Sequence, residues 1–132
     1  MNRILILEDE ATLRHALCRV LRQYPDLTVY DAGSLADAIR LLEQRPNLVV
    51  SDLDLPDGSG LDLLQELAFR GLRVPVVFVT AYLSKYQSEM PSSAHIDVLE
   101  KPFNHSELVR VVSLAWRAWK DRYHRGASAA TT

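Results

Sequence analysis

Leu48-Val49-Val50-Ser51-Asp52-Leu53-Asp54-Leu55-Pro56-Asp57-Gly58-Ser59-Gly60 changes character at its midpoint. A short apolar run stops at Asp52, and a turn rich in Asp, Pro and Gly follows at once. Apolar runs of about 4–8 residues bounded by turn signals read as buried strands. An acid at the end of such a strand lies where open α/β sheets bind ligands, outside the carboxyl ends of the strands. A carboxylate is costly there unless a cation meets it. Asp52 is therefore the candidate reacting group, and the other motifs are weighed by whether they converge on it.

Upstream, Ile4-Leu5-Ile6-Leu7 is a continuous apolar run, the pattern of a strand covered on both faces, and it ends in Glu8-Asp9-Glu10. Leu13, Leu17, Val20, Leu21 and Tyr24 then recur at helical spacing, with Pro25 as the stop. Leu27-Thr28-Val29-Tyr30 reads as a second strand. Ser34 reads as the N-cap of a helix carrying Leu35, Ala38, Ile39 and Leu42, closed by Pro46.

Downstream, Gly60 leads into a helix expected to turn Leu61, Leu64, Leu67 and Ala68 inward and to end near Gly71. Val74 to Val79 forms the fourth strand, stopping at Thr80-Ala81. Tyr82 to Glu89 is expected to hold a helical turn or two, interrupted at Met90-Pro91-Ser92-Ser93. Ile96 to Leu99 is a short fifth strand, followed by Glu100-Lys101-Pro102-Phe103. Asn104-His105-Ser106-Glu107 has the form of a capping box opening a last helix with Leu108, Val111, Val112, Ala115, Trp116 and Trp119. Strands alternating with helices predict an α/β fold with a parallel sheet. One domain is expected over 1–124, with 125–132 a flexible tail or the start of a linker.

At 132 residues, with 48% hydrophobic and 24% charged, the chain fits one globular domain rather than a disordered one. A net charge of −2 gives no footing for direct, sequence-independent nucleic-acid binding. Cys18 is the only cysteine, which excludes an internal disulfide. No apolar run approaches the roughly 20 residues that span a bilayer. Met1-Asn2-Arg3-Ile4 enters a strand without room for a signal peptide. The expectation is a cytoplasmic domain with no membrane association.

In a parallel sheet every strand ends on one side. Glu8 and Asp9 then meet Asp52, Thr80 and Lys101 on one rim: three carboxylates, a hydroxyl and an ammonium. Carboxylates this close repel unless a cation intervenes. A hard divalent ion, Mg²⁺ with Mn²⁺ as an alternative, fits oxygen ligands. The set suits phosphoryl transfer, in which a carboxylate serves as nucleophile.

With these residues the chain resembles the receiver domains of bacterial two-component response regulators, over roughly residues 3–123. The resemblance rests on Glu8-Asp9, on Asp52 within Asp-x-x-Leu-Pro-x-x-x-Gly, on Thr80-Ala81 and on Lys101-Pro102-Phe103. It implies a five-stranded parallel sheet of order 2-1-3-4-5 in a flavodoxin-like three-layer sandwich. It implies Asp52 as phosphoacceptor, with Glu8, Asp9, Asp52 and the backbone carbonyl of Asp54 around the metal. Thr80 and Lys101 would contact the phosphoryl group, and the Lys101-Pro102 peptide would be cis. The implied partners are a sensor histidine kinase or phosphotransfer protein and a downstream output domain or protein, with a homodimer as a further expectation. A signalling role is expected rather than an enzyme class, with at most phosphorylation from small donors and loss of the chain's own phosphoryl group.

Two departures stand out. Val98 occupies the position, three residues before the lysine, where the family usually has Tyr or Phe. Pro91 predicts an irregular or shortened fourth helix. Both favour an alternative, a receiver-like interaction module that signals without phosphorylation. A third reading takes Asp52-Leu53-Asp54 as the nucleophile motif of a haloacid-dehalogenase-type phosphatase, but that motif follows the first strand and here it follows the third. Blander roles also exist: Asp52 as a turn cap, Glu8-Asp9 as caps of the first helix, Asp54 and Asp57 as solvated turn residues, and Cys18 as a surface or half-buried residue.

Overall fold

The computed structural model describes residues 2–91 and 95–121. The tail expected at 125–132, His124 and the Ser92-Ser93 part of the expected interruption lie outside the described residues. The main sheet consists of β1 (Asn2–Leu7), β2 (Leu27–Ala32), β3 (Leu48–Asp52), β4 (Val76–Thr80) and β5 (Ile96–Glu100), and a separate short antiparallel pair, Asp54–Leu55 with Gly58–Ser59, follows β3. The main-sheet strands pair in the order β2-β1-β3-β4-β5, every pairing parallel. The helices are α1 (Ala11–Leu21), α2 (Leu35–Leu41), α3 (Gly60–Phe69), α4 (Leu83–Tyr86) and α5 (His105–Trp119). This is the expected five-stranded parallel sheet with helices on both faces.

The continuous apolar runs have a direct cause. Successive side chains of a strand point to opposite faces, so a strand covered on both sides needs apolar residues at every position. Ile4, Ile6, Val50, Val77 and Val79 pack against α1 and α5. Leu5, Leu7, Val49, Val76 and Phe78 pack against α2, α3 and Tyr86 of α4. The site rim is therefore set by where these strands stop. Among the described residues, no helix is long and apolar enough to cross a membrane.

Several local expectations need correcting. Tyr24 is 43% exposed, because α1 already ends at Leu21 with Arg22 as its cap, before Pro25. Ala68 is exposed, and Leu63 takes the inward place beside Leu67. The cause is Gly60. A Cβ there would lie 2.4 Å from the Asp52 carbonyl oxygen and 3.0 Å from the Phe78 ring. That close approach turns Gly60, Leu63 and Leu67 toward the sheet, and Ser59 and Asp62 lock the phase with a capping box. Cys18 is buried in the core between α1 and the sheet rather than half-exposed. The helix begun at Ser34 ends at Leu41 and passes through a 3₁₀ turn (Leu42–Gln44) to Arg45, whose φ of 52° breaks it before Pro46.

Asp57 is no idle turn residue. Its carboxylate accepts from the backbone N–H of Leu35 at 2.9 Å and of Ala36 at 3.1 Å, joining the Ser34 hydroxyl in capping α2. These amides hold the Asp57 carboxyl below the usual aspartate range. A depressed carboxyl stabilises the fold above its unfolded-state pKa and loses that contribution as pH falls through the lower folded value. We expect Asp57→Ala to lower the urea midpoint at pH 7, with the deficit shrinking below about pH 4; denaturation at several pH values checks it.

Candidate functional site

Four strand ends build one cleft. Glu8 and Asp9 follow β1, Asp52 closes β3, Thr80 closes β4 and Lys101 follows β5. Glu8 is only 1% exposed and Asp52 5%, while Asp9 faces solvent. One carboxylate oxygen from each of Glu8, Asp9 and Asp52 lies within 4.8 Å of the others. The cleft, about 400 Å³, is lined by these three with Glu10, Asp54, Ala81, Tyr82 and Lys101.

Lys101 Nζ stands between the two buried acids, 2.9 Å from Glu8 Oε1 and 2.8 Å from Asp52 Oδ2. The second oxygen of each is also used. Glu8 Oε2 accepts from the Glu10 N–H at 3.1 Å, and Asp52 Oδ1 accepts from the Asp54 N–H at 3.0 Å. Burial pushes the Glu8 carboxyl above its usual range, against the hydrogen bond from Lys101. Burial also works against the Lys101 ammonium, but its two carboxylate partners outweigh that and raise its pKa. The Lys101-Pro102 peptide is cis. Lys101 N–H also donates to the Thr80 carbonyl at 2.8 Å, tying the ends of β4 and β5 together.

Thr80 is fully buried and does not line the cleft; its hydroxyl accepts from the Tyr82 N–H at 3.0 Å. Val98 packs in the apolar layer that holds Phe78 and Tyr86. Asp54, expected as a solvated side chain, instead accepts from the Tyr86 phenol and pairs with Lys85 at 3.3 Å. Burial first, then the hydrogen bond to Asp54, raises the Tyr86 phenol pKa. No sequence spacing announces this contact across 32 positions. Arg14 was also missed. It donates to the Glu8 carbonyl at 2.8 Å and pairs with Asp31 at 3.2 Å, bracing the loop that presents the acids. Its signal was faint: one of two arginines on the helix that follows an acid triplet.

The profile of the response regulator receiver domain matches residues 4–113. Transcriptional regulatory protein PdtaR of Mycobacterium tuberculosis is 35% identical over 116 residues, 86% of this chain and 56% of that protein. Sensory transduction protein LytT of Enterococcus faecalis is 32% identical over 114 residues, 85% of this chain and 47% of that protein. The chain thus spans about half the length of the curated relatives it matches. Among solved structures, response regulator protein TrrA of Thermotoga maritima, in complex with Mg(2+)-BeF, superposes with a TM-score of 0.75 at 28% identity. That match covers 87% of this chain and 99% of TrrA.

Removing the ammonium exposes the electrostatic design. Lys101→Met leaves Glu8 and Asp52 facing each other without their cation, a loss of about 2–3 kcal/mol at pH 7.5. Lys101, raised above the ordinary lysine value by its carboxylate partners, stabilises below about pH 10.4 while those partners are charged and loses this as pH rises through its folded pKa. Glu8, raised above the ordinary carboxylate value, works in the other sense: its folded form favours the proton, so its charge opposes folding once pH passes that range. Without Lys101 this opposition grows. Urea unfolding is expected to show the Lys101→Met deficit narrowing toward pH 5 as Glu8, raised by burial, takes up its proton; an unchanged deficit contradicts the arrangement.

Proposed function

The chain belongs to the receiver domains of two-component response regulators, and from that premise we propose that Asp52 is its phosphoacceptor. The observation that carries this is the meeting of Asp52, Glu8, Asp9 and Lys101 in one cleft. One carboxylate oxygen of Asp52 attacks the phosphorus of a phosphohistidine on a histidine kinase or phosphotransfer protein. The P–N bond breaks, its electron pair stays on the imidazole nitrogen, and Asp52 becomes an acyl phosphate. Glu8, Asp9 and Asp52 offer only hard oxygen donors and suit Mg²⁺, or Mn²⁺, with the Asp54 backbone carbonyl as a further ligand. When bound, such an ion neutralises the charge that the carboxylates and the phosphoryl oxygens bring together.

This chain's own residues do the rest. Lys101 already holds Asp52 and pairs with the incoming phosphoryl group, which offers more negative charge than Asp52 alone. Thr80, accepting from the Tyr82 N–H, still has its hydroxyl proton to donate. It is buried next to Ala81 and Tyr82, which line the cleft, and a turn of its side chain would present that proton to the phosphoryl group. In this reading the domain is a switch rather than an enzyme on external substrates, with at most phosphorylation from small donors and loss of its own phosphoryl group. Its partners are a histidine kinase or phosphotransfer protein and an output domain or protein, in the cytoplasm.

A second reading, signalling without phosphorylation, draws support from Val98 and from the four residues of α4. Intact mass separates the two. With Mg²⁺ and acetyl phosphate, the native chain is expected to gain one phosphoryl group. The gain disappears with chelator and in Asp52→Asn. No gain in the native chain, together with no Mg²⁺ binding, favours the second reading.

A further inference from the structure

Tyr86 stands where two observations meet. Its ring is 7% exposed and belongs to the apolar layer that includes Phe78, with Val98, Ile96 and Met90 packed against that layer. Its hydroxyl reaches out of this layer and donates to Asp54 Oδ1, the oxygen that Lys85 approaches at 3.3 Å. Asp54 in turn places its N–H on Asp52 Oδ1 at 3.0 Å. Two hydrogen bonds therefore run from the acceptor carboxylate, through one residue, to the side chain of α4. Val98 leaves β5 without an aromatic ring, and the buried aromatic that reaches the acidic cleft comes from α4 instead.

We infer that Tyr86 is a positioning residue for the Asp52 centre, holding Asp54 so that the state of the acceptor and the position of α4 change together. The inference rests on Asp52 being the phosphoacceptor. Its physics is simple. An ionised carboxylate is a strong acceptor for the Asp54 N–H; once it becomes the neutral acyl group of an acyl phosphate, that bond weakens. The Asp54 backbone then shifts within the hold of its carbonyl on the ion, and the carboxylate carries the attached phenol with it. α4 yields readily because it holds four residues. A short helix with few backbone bonds of its own is drawn from the least stable parts of a fold.

Amide NMR of the full chain, with Mg²⁺ and then beryllofluoride as the probe, tests this. In the native protein, the amides of 52–54 and 101 are expected to shift with those of 83–86. In Tyr86→Phe, which keeps the ring, the first group still shifts and the response of 83–86 falls by roughly half or more. Asp54→Ala removes the acceptor from the other side and gives the same loss, which guards against a packing defect in the Phe variant. Lys85→Ala removes the exposed ion pair with Asp54 and the ammonium 5.2 Å from the Tyr86 ring centroid, but keeps the phenol–Asp54 bond and so leaves the coupling intact. If 52–54 and 101 do not respond in the native chain, the phosphoacceptor reading is at fault. If they respond while 83–86 stay still, or respond equally in Tyr86→Phe, the role of Tyr86 is overturned.

Discussion

Lys101 places one ammonium against two carboxylates that the fold has already taken out of water. Glu8 is nearly inaccessible and Asp52 little less so. Two like charges within 4.8 Å of one another repel by roughly 3–4 kcal/mol at an effective dielectric near 20, a large share of the stability of a domain this size. The cation turns that repulsion into a pair of charge-assisted hydrogen bonds. It does so without closing the site, because Asp9 remains at the open side. The rim is thus stable as it stands and still short of positive charge, which is the condition for taking up a metal ion and then a phosphoryl group.

Much of this was legible because it lies on strand periodicity. Apolar runs that stop abruptly locate the strand ends, and in a parallel sheet the strand ends locate the site; Glu8, Asp9, Asp52, Thr80 and Lys101 follow from that alone. The helix phases were harder. Of the expected stripe Leu61, Leu64, Leu67 and Ala68, Leu67 is buried and Leu61 and Leu64 pack at the core's edge, but Ala68 is exposed and Leu63 is buried, a rotation set by the contact of Gly60 with the Asp52 carbonyl. Asp57 and Asp54 were misread for one reason. Each bonds across 21 or more positions, Asp57 to the start of α2 and Asp54 to α4, and single-sequence spacing holds no record of such contacts. The shortened fourth helix was foreseen from Pro91, a residue whose effect is local.

The two flanks of Asp52 differ in how they are held. On one side, Gly60 lies against the Asp52 carbonyl, the Ser59 capping box fixes the start of α3, and Asp57 fastens the loop to α2. On the other side stand a cis-Pro turn, a buried threonine and a helix of four residues. The first flank is fastened by side-chain caps on the backbone N–H groups of two helix starts, the second by the Lys101 N–H bond to the Thr80 carbonyl and a few side-chain contacts.

That asymmetry gives the domain a polarity. On the proposed phosphoacceptor reading, a change of charge at Asp52 meets an abutment toward α2 and α3 and a yielding margin at the four-residue α4 and the edge strand β5. Surface residues along the yielding margin can therefore diversify to suit different listeners, while the abutment keeps the acceptor in register whatever is listening.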